Sequence, residues 1–454
     1  MEMKNLKRAK SIYIVPYKGN KYIFLSNLTG KVIIGNSLLK NVIEYPQQYL
    51  LTKQNTLKYL FENGFIVNSE ADEDKILKKN IENAKKNIPL DFVISLTYNC
   101  NFNCEYCFQG DSSIISLNKS DIGPLIAFIK KKFRSTIDDK FVLVFTGGEP
   151  LLKFDLIQEI VLRLEKEIGR NYFKLRLITN GSLLDEDKCK FFAKYDWIST
   201  QITLDGAEKY HNKMRPYKNG KGTFREVIAG INNALKYTKE VVLRTNVWPQ
   251  NVEGVYDLLD YLQENGYKEK NNLILGFHPV LNYFEAVKDK LSGLVYSEAQ
   301  WSKIALKFYD LARNEGFKNI DLPLSWPRLV YCGATSFKVF HILPDGRIAT
   351  CWAAGGGMDN FVIGSIHNEN KKEWSENIER LKNYNPFKQQ KCKDCRAKIS
   401  AFCGGGCLAQ AISTNGDMEK PICSYVANDP ERYLIRFVEE RLRKGKISNK
   451  QLIK

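Results

Sequence analysis

The stretch Cys100-Asn101-Phe102-Asn103-Cys104-Glu105-Tyr106-Cys107 places three cysteines on one short segment. It directly follows an apolar run at residues 92–98, which we predict to be a buried strand. Three thiolates so placed can hold three irons of a cubane cluster and leave a fourth iron free to chelate a small molecule. A zinc knuckle is the alternative, but structural zinc sites use four ligands, and no fourth cysteine or histidine is nearby in the sequence.

A strand–helix unit recurs through residues 90–316. The strand candidates are short apolar runs of the kind that a parallel sheet buries, and the segments between them carry apolar residues at helical spacing. Six such units predict an open, partial α/β barrel, whose chemistry lies at the C-terminal ends of the strands. The strand candidates are residues 92–98, 141–146, 174–179, 198–204, 241–247 and 273–279.

Polar and glycine-containing motifs follow three of these predicted strands. Glycines let the backbone approach a ligand closely. A glutamate can accept hydrogen bonds from an ammonium group, and an arginine can pair with a carboxylate. The motifs are Gly147-Gly148-Glu149-Pro150 after the second strand, Thr179-Asn180-Gly181 after the third, and Thr203-Leu204-Asp205-Gly206 after the fourth, which is followed by His211 and Arg215.

In this order, and with the aromatic Phe108 after the last cysteine, the motifs resemble those of the radical S-adenosylmethionine (SAM) superfamily, in particular its SPASM-containing branch. The resemblance implies a partial (β/α)6 TIM-like barrel at residues 90–316 and a [4Fe–4S] cluster held by Cys100, Cys104 and Cys107. Arg244 and Asn246 on the fifth strand could also reach the pocket. The residues expected to bind SAM are Gly147, Gly148, Glu149, Asn180, Thr203 and Arg215.

Seven more cysteines lie after residue 331 and resemble the SPASM pattern, although the seven residues between Cys395 and Cys403 exceed the usual gap. By this resemblance, residues 317–454 form a SPASM domain with two auxiliary [4Fe–4S] clusters, which brings the expected total to three. Two zinc ribbons are the alternative. Auxiliary cluster I would be held by Cys332, Cys351 and Cys407, and auxiliary cluster II by Cys392, Cys395, Cys403 and Cys423.

The eleventh cysteine, Cys189, lies on a predicted barrel helix, and we expect it to be a packed core thiol. Auxiliary cluster I would then have an open iron or a ligand that is not cysteine. An open iron could take a substrate thiolate, which is the hypothesis that favours thioether chemistry.

Residues 1–89 alternate short strands and helices and suggest a winged-helix-like module followed by a lysine-rich helical linker. Peptide-maturing relatives often begin with such a module, which binds the leader of a precursor peptide as an added strand. A structural cap for the barrel is the alternative interpretation. The net charge of +17 suits an acidic leader but also an ordinary solvated surface, and no arginine-rich arm or zinc-finger spacing favours nucleic acid.

The resemblance therefore implies a maturase that uses a 5′-deoxyadenosyl radical to cross-link a ribosomal precursor peptide, by a thioether, C–C or ether bond. The competing enzyme is an anaerobic sulfatase-maturing, formylglycine-forming enzyme, but those relatives place an aspartate where this chain has Trp352. A non-catalytic iron–sulfur scaffold or nucleic-acid binder is the interpretation from another class. We expect a cytoplasmic protein without a signal peptide or membrane span, served by a flavodoxin- or ferredoxin-type reductant.

Overall fold

The computed structural model describes residues 5–109, 115–136, 138–322, 332–392, 395, 403 and 405–445. The junction at residues 323–331 and the whole segment between Cys395 and Cys403 lie outside the described residues. Across the described ranges, no helix is long and apolar enough to cross a lipid bilayer.

The N-terminal part is a small module of strands followed by helices. Its strands are β1 (Leu6–Arg8), β2 (Ile12–Tyr17), β3 (Lys21–Ser26), β4 (Val32–Gly35) and β5 (Ile66–Asn68), and its helices are α1 (Ser37–Glu44), α2 (Gln54–Glu62) and α3 (Glu73–Lys86). Strands β2, β3 and β4 form an antiparallel sheet in that order, and β1 pairs with β5. The Asn36 side chain caps α1 by accepting the Leu39 N–H at 3.0 Å, which explains why this helix begins there.

The barrel follows, with strands and helices in alternation. Its elements are β6 (Leu90–Ser95), α4 (Lys119–Arg134), β7 (Phe141–Thr146), α5 (Phe154–Glu167), β8 (Phe173–Thr179), α6 (Glu186–Ala193), β9 (Trp197–Thr203), α7 (Glu208–Met214), α8 (Phe224–Tyr237), β10 (Val241–Val247), α9 (Val252–Glu264), β11 (Leu273–Pro279), α10 (Glu285–Lys288), α11 (Glu298–Asn314) and β12 (Ile320–Asp321). Strands β6 to β12 are parallel and paired in sequence order, so the predicted α/β fold class is confirmed.

The cysteine-rich part extends the same sheet. Its elements are β13 (Val339–Ile342), β14 (Arg347–Ala349), β15 (Val362–Ser365), α12 (Lys372–Asn383), α13 (Leu408–Asn415), α14 (Tyr425–Asn428) and α15 (Pro430–Arg443). Strand β13 pairs in parallel with β6, and β14 and β15 continue antiparallel, which makes a ten-stranded sheet. The open edge of the barrel at β6 is thus covered, as the free hydrogen-bonding groups of an edge strand require.

Helix α15, near the C-terminus, packs against the sheet β2–β4 of the N-terminal module. Because side chains alternate across a strand, the sheet β2–β4 has two apolar faces. Phe24 and Ile33 pack against α1 and α2 on one face. Ile23 and Leu25 pack on the other face with residues of α15 such as Leu434, which is fully buried. The N-terminal module is therefore fixed to the rest of the molecule by a hydrophobic contact.

The same alternation decides which barrel residues can reach a ligand. On β10, Leu243 and Val247 pack outward with the helices in the main hydrophobic core. Arg244 and Asn246 consequently face the barrel interior, level with the ends of neighbouring strands. Phe277 on β11 belongs to the outward set and stacks on Phe308 of α11.

Candidate functional site

The three-cysteine loop, residues 100–107, lies at the C-terminal end of β6. Cys100 and Cys104 are part-buried against the barrel core, whereas Cys107 is exposed. Burial raises the pKa of the Cys100 thiol to about 11 and that of Cys104 to about 12. Thiols so placed are deprotonated when they bind iron, whose positive charge offsets the cost of a buried thiolate. The Cys104 thiol is also close enough to Cys100 and Cys107 for both to act on it electrostatically, and these three sulfurs are the donor set that would hold the expected cluster.

A second segment, residues 214–218, clamps this loop through its backbone. Paired main-chain groups hold the loop in one conformation, which a cluster with three protein ligands needs. In addition, the ring of Phe102 packs edge-on against Tyr217, with centroids 5.2 Å apart. The backbone bonds are Asn103 N–H to Pro216 O at 2.8 Å, Glu105 N–H to Met214 O at 3.1 Å and Lys218 N–H to Asn101 O at 3.1 Å.

Tyr106, between the second and third cysteines, anchors the loop to the barrel. Its hydroxyl donates to Asp205 and accepts from Arg215 Nη1 at 2.7 Å and from Asn246 Nδ2 at 2.9 Å. The Asp205 carboxylate also accepts the backbone N–H of Asn246 at 2.7 Å. Burial raises the pKa of the Tyr106 hydroxyl far above its usual value, so the group stays neutral. This network joins β9, β10 and the cluster loop.

The two glycines after β7 are required by close backbone contact with the segment before Cys100. A Cβ on Gly147, whose φ is +140°, would lie 2.3 Å from Thr97 O, and one on Gly148 would lie 2.4 Å from Asn99 O. Gly148 N–H donates to Thr97 O at 2.8 Å, and Glu149 N–H donates to Asn99 O at 2.9 Å. The motif thus fixes β7 against the start of the cluster loop.

Glu149 is fully buried and joins β7 to β8. Its carboxylate accepts hydrogen bonds from Leu151 N–H at 3.0 Å, Thr179 Oγ1 at 2.7 Å and Asn180 N–H at 2.8 Å. Burial raises the pKa of this carboxyl, while those three donors favour the charged form. A carboxylate has about four acceptor positions, so about one remains for an ammonium group.

Two other residues expected to bind SAM, Asn180 and Arg215, lie beside the cluster loop. Asn180 Nδ2 donates to Asn101 Oδ1 at 2.8 Å and faces the sulfur of Cys100 at 3.8 Å. The Arg215 guanidinium lies 5.6 Å from the centre of the Phe102 ring and 3.7 Å from Asp205, and its Nε has no hydrogen-bond partner among the described residues. Both side chains retain capacity for a ligand.

Thr203 lies at the end of β9, next to Arg244 in register. Its side chain is 9% exposed and makes no hydrogen bond to another described residue. The structure thus brings five of the six expected SAM residues, Gly147 to Glu149, Asn180 and Arg215, around the cluster loop, and puts Thr203 one strand farther round the barrel. Their role in binding remains a prediction.

The C-terminal cysteines form two groups. Cys392, Cys395, Cys403 and Cys423 line one small cavity, together with Gly405 and Ile422. Burial raises the pKa of Cys351, which lies close enough to Cys332 and Cys407 for both thiols to raise it further, and Tyr283 lies near Cys351 and Cys407. These are the two sets expected for auxiliary clusters II and I. Cys189 lies apart from both, fully buried in the barrel core on α6.

His341 of β13 joins the second cysteine group to the barrel, a role that the sequence did not reveal. Its Nε2 lies 2.7 Å from Ser95 Oγ and its Nδ1 3.4 Å from the carbonyl of Cys351. Burial lowers the pKa of His341 to about 4, so the imidazole is neutral near pH 7. Because a carbonyl only accepts, the proton is on Nδ1 and Ser95 donates to Nε2. The parallel pairing of β13 with β6 creates this contact, and no local sequence pattern reports it.

Comparison with known proteins finds a family match that lies within the barrel. Residues 94–262 match the Radical SAM superfamily. The serine-type anaerobic sulfatase-maturating enzyme of Bacteroides thetaiotaomicron is 23% identical over 375 residues, which are 74% of this chain and 86% of that enzyme.

Two further relatives match over shorter stretches. Uncharacterized protein MJ0907 of Methanocaldococcus jannaschii is 28% identical over 39% of this chain and 59% of its own. The cysteine-type anaerobic sulfatase-maturating enzyme of Clostridium novyi is 31% identical over 33% of this chain and 41% of its own. The chain thus spans less than two thirds of the length of both.

Two solved structures share the fold. anSMEcpe with bound AdoMet and the Kp18Cys peptide aligns with a TM-score of 0.59 at 19% identity, over 79% of this chain and 100% of its own. Streptococcus suis SuiB bound to the precursor peptide SuiA aligns with a TM-score of 0.56 at 15% identity, over 92% of this chain and 99% of its own.

Proposed function

From the premise that residues 94–262 are a radical SAM domain, we propose that this chain is a maturase that cross-links a ribosomally made precursor peptide. The observation that carries the proposal is that one chain combines the barrel, the two C-terminal cysteine groups and an N-terminal module, which packs against helix α15. The fold shared with SuiB extends over 92% of the chain, against 79% for anSMEcpe, and SuiB is seen with its precursor peptide.

The chain's own residues would bind and orient the reactants. When bound, SAM and a reduced [4Fe–4S] cluster supply a 5′-deoxyadenosyl radical that removes one hydrogen atom from the substrate. Cys100, Cys104 and Cys107 would hold that cluster. Asn180 and Arg215, which border the loop, would orient the methionine carboxylate of SAM, and Glu149 its ammonium group.

The two C-terminal cysteine groups supply the other half of the redox balance. Forming a cross-link removes two hydrogens: one leaves as an atom to the adenosyl radical, and the other leaves as a proton and an electron. Cys332, Cys351 and Cys407 would hold an auxiliary cluster, which would supply an acceptor for this electron when bound; Tyr283 lies near two of these thiols, Cys351 and Cys407. A set of three cysteines leaves one iron open to a substrate thiolate, which is why a thioether is favoured over a C–C or ether bond.

The N-terminal module would recognise the leader of the precursor. Among the described residues, β4 pairs only with β3, so its outer edge can accept an added strand. The same module exposes apolar side chains, including Tyr45 at 59% and Leu51 at 91%, that an added peptide could cover. An acidic leader would complement the net charge of +17. The reductant would be a flavodoxin- or ferredoxin-type protein, and the location the cytoplasm, whose reducing conditions keep these thiols free.

Formylglycine formation in a sulfatase is the second candidate. The long match to the Bacteroides thetaiotaomicron enzyme, 86% of its length, favours it. Trp352, directly after Cys351, argues against it, because the sulfatase-maturing relatives that the motifs resemble place an aspartate at this position as a base. Trp352 is 43% exposed and its ring lies 5.5 Å from that of His341. An indole donates a hydrogen bond but takes no proton.

An anaerobic reaction with defined peptides separates the two candidates. The reconstituted enzyme is incubated with SAM, a reductant and either the short peptide encoded beside its gene or a sulfatase peptide, and the products are read by tandem mass spectrometry. We expect the precursor to lose ~2 mass units and to give no fragments between the linked residues. A Cys104→Ser variant is the control without a first cluster. An aldehyde on the sulfatase peptide, trapped by a hydrazine, with an unchanged precursor, would establish the second candidate.

A further inference from the structure

The barrel interior contains a guanidinium that the proposed chemistry does not use. Arg244 faces inward on β10, and its Nε donates to Asn246 Oδ1 at 2.8 Å. Among the described residues, no carboxylate forms an ion pair with it and no other hydrogen bond occupies its two terminal nitrogens. The carboxylates of Asp205 and Asp321 act on this part-buried guanidinium through space but form no ion pair with it among the described residues, so its planar fork stays open to a further anion.

Register places Arg244 at the mouth of the site. It pairs with Thr203 of β9, and the residue before Thr203, Ile202, pairs with Thr179. The shear of the sheet therefore brings the middle of β10 level with the turn that follows β8, where Asn180 approaches the cluster loop.

The surroundings of Arg244 connect it to both cysteine centres. It interacts electrostatically with Tyr106 of the cluster loop and with Tyr283, which in turn lies near Cys351 and Cys407. The neighbouring residue in register is Gly276, and a Cβ there would lie only 3.2 Å from His278 Nε2, so a side chain at this position would crowd the ring of His278. Burial and the adjacent guanidinium lower the pKa of His278 to about 3, so this imidazole is neutral near pH 7 and adds no second positive charge beside Arg244.

We propose that Arg244 binds a carboxylate of the substrate peptide, from an aspartate or glutamate close to the residue that is modified. The planar fork of a guanidinium matches a carboxylate with two parallel hydrogen bonds, which would fix the peptide between the first cluster and Cys407. The inference rests on the proposed function and narrows its substrate to peptides with an acidic residue beside the cross-link. The carboxylate of SAM is the competing source of the same chemistry, but Arg215, over the Phe102 ring and beside Asp205, lies against the cluster loop itself.

A double-mutant cycle between Arg244 and the peptide tests this assignment. The Arg244→Gln and Arg244→Lys variants are combined with precursor peptides in which each acidic residue near the cross-link is replaced by its amide. Either change alone, at Arg244 or at the acidic residue of the peptide, should lower kcat/KM about 10- to 100-fold because it removes the charge-assisted pair. The Arg244 variants should then process the amide peptide no more slowly than the acidic one. Fluorescence anisotropy of labelled peptide should report the same coupling without turnover, and the Kd of SAM should stay unchanged. Arg176→Gln, an exposed arginine on β8, is the matched control and should leave all of these values as in the wild type.

Three outcomes overturn the assignment. Equal losses with acidic and amide peptides would mean that Arg244 does not read a substrate carboxylate. A weaker Kd of SAM in Arg244→Gln, with no discrimination between peptides, would assign the guanidinium to SAM. A wild-type enzyme that neither binds nor modifies any precursor would refute the proposed function and this inference with it, whereas modification with no coupling to Arg244 refutes the inference alone.

Discussion

Replacing Tyr106 by phenylalanine removes one hydroxyl and takes one hydrogen-bond partner from each of three buried side chains. The hydroxyl bonds to Asp205, to Arg215 and to Asn246. A hydrogen bond to a charged group contributes roughly 1.5–3 kcal/mol, so the two charged partners alone account for about 3–6 kcal/mol. Arg215 and Asp205, now 3.7 Å apart, can close on each other and recover part of this. We therefore expect the free energy of unfolding to fall by about 3 kcal/mol.

Urea unfolding of the reconstituted protein, with iron content measured in parallel, checks this value. Tyr267→Phe is the graded control, because Tyr267 is also buried but its hydroxyl makes a single neutral bond to Asn232 at 2.8 Å. That change should cost about 1 kcal/mol and leave the iron content unaltered. If Tyr106→Phe costs no more than Tyr267→Phe and retains all its iron, the hydroxyl does not anchor the cluster loop.

Three further predictions follow from particular contacts. Gly148→Ala should weaken SAM binding, lower the iron content of the first cluster and cost about 1–3 kcal/mol of stability by overpacking. Gly364→Ala, where a Cβ meets open space, should change none of these. Equilibrium dialysis measures SAM binding, and thermal unfolding measures stability. Burial raises the pKa of Asp91 from 3.8 to about 6, and its Oδ1 has no hydrogen-bond partner among the described residues. The charged carboxylate should therefore destabilise the fold progressively as the pH rises from about 4 to 6. Asp91→Asn should raise the free energy of unfolding by about 3 kcal/mol at pH 8 and change it almost not at all at about pH 3.5. Leu434→Ala should cost about 2–5 kcal/mol and speed proteolysis of the N-terminal module, whereas Leu162→Ala, at an exposed position, should cost under about 0.5 kcal/mol.

Each of these has a result that contradicts it. Equal SAM binding by the two glycine variants would mean that the backbone at residue 148 is not in close contact. A stability difference between Asp91→Asn and wild type that stays constant across pH would remove the carboxyl as its cause. Unchanged proteolysis in Leu434→Ala would show that α15 does not hold the N-terminal sheet.

Local patterns predicted much of the fold because the barrel strands are short apolar runs between amphipathic helices. The predicted strand at residues 241–247 coincides with β10, and the predicted runs at residues 141–146 and 273–279 coincide with β7 and β11. Pairing between distant segments was not predictable in this way. Strand β13 completes the sheet beside β6 although the two are separated by more than two hundred residues, and only the tertiary fold brings them together.

The site divides in the same way. Cysteine spacing and the motifs after the strands predicted which residues lie around the cluster loop, because each motif is local in sequence. The partners of Tyr106 were not visible, since Asp205 lies 99 residues away and Asn246 lies 140 residues away. The sequence indicated this network only through Asp205 itself, which stands in the motif that follows β9. On β11, Phe277 packs outward against Phe308, whereas the next residue, His278, lies beside Arg244, because successive side chains alternate across a strand.

The most direct test of the proposal measures 5′-deoxyadenosine and peptide mass in one anaerobic reaction with SAM, reductant and the precursor encoded beside the gene. The account predicts about one 5′-deoxyadenosine for each loss of ~2 mass units, and neither product when Cys100, Cys104 or Cys107 is replaced. It predicts that replacing Cys351 or Cys407 leaves SAM cleavage intact while the cross-link fails. Peptide modification that persists without the first three cysteines, or 5′-deoxyadenosine formed with every peptide left unchanged, would contradict it.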